Sequence, residues 1–324
     1  MSQRDVAAPS PLQPAPPSRP GGGARPSGHW LFPGILLWLG IGWGATQPLG
    51  KIATQGGAGP LALTFWQAVI GTVTLGALTL LRGRGLVFTR PALVFYAVVA
   101  ALGTVLPGLT FYTSVERLPS GIMSIIISTI PLMAFPLALI LGMERFDRVR
   151  FLGLVLGLAA VALIALPGTS LPDRGMIAFL PLALCGPLLY ALEATFVARY
   201  GTAGMDAVQA MFGVSLVAAL LTLPMMLVTG QGRVPWPVGR AEAALILSSA
   251  LHGLLYATYV WLAARAGSVF AAHSSYLVTA AGMIWAMLLL GERPSVTVWL
   301  AVVVMLAGVA LVQSRQPQSR EVEV

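Results

Sequence analysis

YVWLAARAGSVFAAHSSYLVTAAGMIWAMLLLGER, Tyr259 to Arg293, decides the fold, because its outline occurs earlier as FYTSVERLPSGIMSIIISTIPLMAFPLALILGMER, Phe111 to Arg145. Each stretch runs 35 residues, and the two lie at a constant offset of 148. In both, an apolar segment ends at an Arg-x-x-Ser turn (Arg117 and Ser120; Arg265 and Ser268), a second apolar segment follows, and the stretch closes on Glu-Arg (Glu144-Arg145; Glu292-Arg293). A long internal period fixes architecture before any single residue does, and it directs attention to the joint between the copies.

With 57% hydrophobic and only 9% charged residues and a mean hydropathy of +0.84, the chain cannot be a water-soluble globule, whose charged fraction is about 25%. It reads as an integral membrane protein. A helical span needs roughly 20 apolar residues. Ten such segments are expected, near 31–50, 61–81, 91–112, 120–142, 150–167, 176–199, 206–229, 241–262, 268–290 and 296–313. The same offset pairs Lys51 with Arg199 and Phe88–Val115 with Trp236–Ala263, so the register holds from the first span to the last. Each copy would contain five spans, and an odd number forces the second to enter the membrane upside down. The expected fold is therefore all-α, ten transmembrane helices as two inverted five-helix repeats, at 29–170 and 171–313. Residues 1–28, rich in Pro and Gly, and 314–324 read as tails, the first of them disordered.

The basic residues do not form a stripe with interleaved aromatics, so the pI near 10.4 does not indicate nucleic acid. Of the 19 Lys and Arg, thirteen fall in the tails and joints of one side and six on the other. By the positive-inside bias both termini of a multi-pass protein are cytoplasmic. The single cysteine, Cys185, excludes an intrachain disulfide and reads as a buried thiol in the sixth span. Lys51 reads as snorkelling to the outer interface. Gly153-x-x-x-Gly157 and Ala307-Gly308 read as close-packing points between helices.

These residues resemble the EamA-type branch of the drug/metabolite transporter superfamily. The resemblance rests on Trp43-Gly44 with Lys51 in the first span, on Leu141-Gly142-Met143-Glu144-Arg145 followed by LGLVLGLAAVALI at 152–164, and on Leu290-Gly291-Glu292-Arg293 followed by LAVVVMLAGVALV at 300–312. It covers about 31–313; Met143 interrupts the first Leu-Gly-Glu-Arg. It implies a multi-pass permease of the cytoplasmic (cell inner) membrane, mostly exporting, with amino acids and related metabolites as the best-represented cargo. It does not fix the cargo.

An ionisable group inside a span costs about 2.5–3.5 kcal/mol at the helix centre, so each is a functional candidate. Glu193 is the one carboxylate clearly embedded in an apolar segment, and it suits either proton coupling or pairing with a substrate ammonium. Glu116 beside Arg117 reads as an interface ion pair. His252, Tyr256 and Tyr259 recur at i, i+4 and i+7 and share one helical face, able to hydrogen-bond a polar group while the rings pack on apolar cargo. Trp43 with Gln47, and Tyr190 with Glu193, form further same-face pairs. His273, Tyr276 and Trp285 in the ninth span, and Ser128 in a fourth span interrupted by Pro131 and Pro136, complete the candidate substrate-binding set. No catalytic dyad, metal-ligand cluster or phosphate-binding loop is present in the sequence, so neither an enzyme nor a cofactor is expected. The energy source would be an ion gradient or the substrate's own gradient. The reading is a secondary-active permease exporting amino acids or related compounds by alternating access through a midplane cavity; the alternative is drug or toxic-compound efflux coupled to protons through Glu193. The partners are a small-molecule substrate and the lipid bilayer, and the sequence leaves monomer and homodimer open.

Overall fold

The computed structural model of the chain describes residues 31–166, 171, 173–232, 235, 237–266, 270–271 and 273–313. The tails read at 1–28 and 314–324, the turn at Ser268 and the boundary at residue 170 lie outside them. The described residues are helical: α1 (Leu31–Thr54), α2 (Pro60–Leu81), α3 (Arg90–Arg117), α4 (Ser120–Ile140), α5 (Arg148–Ala165), α6 (Leu180–Tyr200), α7 (Ala207–Val228), α8 (Arg240–Ala266), α9 (Ser274–Leu290) and α10 (Val296–Gln313). Eight of the helical stretches are long and apolar enough to cross a membrane, and α9 is apolar but shorter. The outer surface carries bare Val73, Leu81, Ile140, Val228 and Val296, an apolar exterior that water would not tolerate and a bilayer would.

Two helices depart from the regular form, both at prolines. Pro131 has no N–H to give to Ile127, and α4 breaks at Ser128 and Thr129. The hydroxyls there turn back onto the chain: Ser128 donates to the Ile125 carbonyl at 2.8 Å and Thr129 to Ile126 at 2.6 Å, so the break leaves its polar groups bonded in apolar surroundings. In α3, Pro107 cannot donate to Gly103, and the helix widens into a π turn at Ala101–Val105.

The packing pairs α5 with α10, α2 with α7, α4 with α9, α1 with α8 and α9, and α6 with α3 and α4. Contacts along three of these seams give their direction. Gly59 lies against Gln231, Gly71 against Ser215 and Gly76 against Phe212, so α2 and α7 run antiparallel. In α4 and α9, Gly121 meets Met283, and Ser128 accepts a hydrogen bond from Thr279 at 2.8 Å. In α5 and α10, Gly153 meets Leu311 and Val312, and Gly308 meets Gly157. The glycines read as close-packing points are where these last two backbones touch.

The α2–α7 seam is tied at both ends. Arg84 pairs with Asp206 at 2.5 Å and Gln209 donates to the Gly85 carbonyl at one end, and the Leu61 amide donates to Gln231 at the other. One sequence expectation changes, and two residues take partners that the sequence does not announce. Cys185 is exposed on the outside of α6, its thiol donating to the Pro181 carbonyl, because an apolar face looks the same in sequence whether it meets lipid or protein. Lys51 meets a partner at its own end of the bundle: its Nζ donates to the Leu118 carbonyl at 2.5 Å, beside Glu292. Glu292, in the Glu-Arg that closes the second stretch, accepts from the Ser120 amide (2.7 Å), the Ser120 hydroxyl (3.0 Å) and the Gly121 amide (3.0 Å), capping the start of α4 across the bundle. A carboxylate on two free amides at a helix N-terminus meets orphan donors and the positive end of the dipole. Replacing Glu292 with Ala is expected to cost about 1–2 kcal/mol, read as a lower unfolding temperature of the detergent-purified protein. An unchanged temperature would show that the cap contributes nothing.

Candidate functional site

The polar ridge of α8 faces inward. Tyr259 packs against Trp43 of α1 with ring centroids 5.5 Å apart and planes tilted at 56°. Tyr256, one turn back, lies within electrostatic reach of both Tyr259 and Glu193 of α6. Tyr190 lies within the same reach of Glu193 from its own helix. Protein encloses Tyr190, Glu193, His252, Tyr256 and Tyr259, yet each keeps a partly accessible surface. Deep in the bundle, they are not packed solid against neighbours.

Glu193 is seated by the π turn of α3. A Cβ at Gly103 would stand 2.5 Å from its carboxyl carbon, so only the bare backbone of that turn lets the carboxylate lie where it does. No ion pair or hydrogen bond holds it among the described residues; the ion pairs there are Arg84–Asp206, Arg117–Glu116 and Arg150–Glu144. The hydroxyls of Tyr190 and Tyr256 and the imidazole of His252 make no hydrogen bond to described residues either. Gln47, one turn beyond Trp43, is buried with its Oε1 unpaired. Polar atoms left open in enclosed space are what a ligand of matching chemistry can satisfy.

The remaining expected site residues lie elsewhere. Ser128 is buried in the α4–α9 seam with its hydroxyl spent on the backbone and on Thr279. Tyr276 packs on the core formed by α4, α5 and α10, with its ring 5.8 Å from the exposed ring of His273 at the start of α9. Trp285 donates from its indole nitrogen to the Ile41 carbonyl at 3.1 Å, pinning α9 to α1. Two neighbours escape the sequence reading. Gly103 carries no side chain to notice; Pro107, four residues on, is the one signal that the helix there is irregular. Tyr112, fully buried in α3, donates to Gln67 of α2 at 2.7 Å, a pairing between helices that no local spacing announces.

The model of the EamA-like transporter family matches residues 32–166 and 178–314. The chain belongs to the EamA-like transporter family. The two matched segments are the two copies seen in the sequence, and members of the family are membrane transporters. No curated protein matches significantly. Eighteen solved chains do. One of them, titled only as the crystal structure of a protein, superposes with a TM-score of 0.60 at 17% identity, covering 86% of this chain and 94% of its own. At that identity the likeness speaks for the fold alone. For an EamA-like chain, enclosed polar space between helices of both copies is the candidate substrate site.

Proposed function

We propose that the protein is a secondary-active permease that exports small metabolites, amino acids or related compounds, by alternating access. In this reading ten helices cross the cell inner membrane as two inverted five-helix repeats, with both termini cytoplasmic and the site near the midplane. The supporting observation is the run of the three seams: α2 with α7, α4 with α9 and α5 with α10 each join helices equivalent under the 148-residue offset, and each pair is antiparallel. Copies that lie antiparallel are related by inversion, which makes the two ends of the bundle equivalent and permits opening to either side. Substrate enters between α1 and α8 of one side and α3 and α6 of the other, where Trp43, Gln47, Tyr190, Glu193, His252, Tyr256 and Tyr259 stand.

Lys51, Glu292 and the start of α4 hold one end together in the described state; release of this clamp would open that end. Ser128, His273, Tyr276 and Trp285 belong in this reading to the moving seams. The test is flux of radiolabelled amino acids in proteoliposomes of the purified chain. Saturable movement supports the reading, and no flux of any amino acid or related amine contradicts it.

A further inference from the structure

We propose that the site takes its substrate by an ammonium group, held between Glu193 and the rings of Tyr190, Tyr256, Tyr259 and Trp43, so that an amine with an apolar body is preferred over a zwitterionic amino acid. The inference rests on the permease reading and narrows its cargo. Glu193 lies in enclosed space without an ion pair or hydrogen bond among the described residues. An enclosed charge without a partner is costly, and the cost is removed by a ligand of opposite sign.

The side chains within electrostatic reach of Glu193 are electron-rich rings: Tyr190, one turn away on α6, and Tyr256 of α8, with Tyr259 one turn beyond Tyr256 and Trp43 at 5.5 Å from Tyr259. Faces of Trp and Tyr attract an organic cation and tolerate its methylene groups. The open phenol hydroxyls of Tyr190 and Tyr256 add acceptors for ammonium protons. Among the described residues no Lys or Arg pairs with Glu193 or stacks on these rings, so a substrate carboxylate finds no comparable seat there. Lys51 is committed to Leu118 and Glu292, and Arg150 to Glu144. Placing a second carboxylate beside Glu193 adds repulsion in a medium of low dielectric.

Three ligands that share a phenyl ring separate the charges: 2-phenylethylammonium, phenylalanine and 3-phenylpropanoate, each titrated by calorimetry into the detergent-purified full chain and followed in proteoliposomes. The expected result is binding of the ammonium at least about tenfold tighter than phenylalanine, with no binding of the anion. Glu193→Gln should weaken the ammonium by about tenfold or more, and Glu193→Asp should retain part of the affinity. Tyr256→Phe, which keeps the ring and removes one acceptor, should weaken the ammonium by less than Glu193→Gln does. The inference is overturned if phenylalanine or the anion binds as tightly as the ammonium, if Glu193→Gln leaves the ammonium's affinity intact, or if none of the three binds. Binding of the ammonium without flux in proteoliposomes would leave it standing and contradict the permease reading; flux of phenylalanine with no preference for the ammonium would do the reverse.

Discussion

Glu193→Gln is expected to abolish transport, lowering flux by at least about tenfold, and at the same time to raise the thermal stability of the empty protein. The two halves of the result have one cause. The carboxylate lies in α6 against Gly103 with no described partner, and a charge near a helix centre costs about 2.5–3.5 kcal/mol on insertion scales. Gln keeps the shape, removes the charge and still hydrogen-bonds through its amide. The fold is relieved of a cost that only the substrate offsets. Flux at the level of the parent protein, or a fall in unfolding temperature, would show that Glu193 serves the structure and not the cargo.

The second large effect is expected at Gly308. A Cβ there would stand 2.7 Å from the Gly153 carbonyl oxygen and 2.9 Å from the Gly157 amide nitrogen, both backbone atoms with nowhere to go. Alanine gains about 0.8–1.0 kcal/mol of helix propensity over glycine. Overpacking costs about 1–3 kcal/mol, and contact with rigid backbone falls at the upper end. The clash wins: Gly308→Ala should destabilise by about 1–2 kcal/mol net, and Gly308→Val by more. Gly34 is the control, since nothing lies within 4 Å of a Cβ placed there. Gly34→Ala should be neutral or slightly stabilising in the same unfolding assay. A Gly308→Ala protein as stable as its parent would mean that α5 and α10 are not in backbone contact.

The fold was legible because a bilayer makes a simple demand. Runs of apolar residues at a 148-residue offset report spans and their duplication, and the helices stand within a few residues of the expected segments. Which way an apolar face points is a different matter. Cys185 faces outward while Ser128 and Tyr276 face seams, and lipid-facing and protein-facing residues share the same hydrophobicity. The candidate site was half legible. Tyr256, Tyr259 and Glu193 announce themselves as polar groups in apolar helices. Their setting depends on contacts between residues far apart in the chain: Glu193 on Gly103, Trp43 on Tyr259, Glu292 on Ser120. Local periodicity carries no trace of those pairs, and a glycine that matters for what it lacks is silent in any count of functional groups.

Counterflow tests the carrier claim most directly. Proteoliposomes of the full chain are loaded with unlabelled 2-phenylethylammonium, or in a parallel set with unlabelled phenylalanine, and entry of the same labelled compound is followed against empty vesicles. An alternating-access site predicts, for at least one compound, entry that is accelerated by the internal load, saturates with external concentration and is lost in Glu193→Gln. Entry that rises linearly with concentration, ignores the internal load and persists in that variant would contradict a single site exposed to one side at a time.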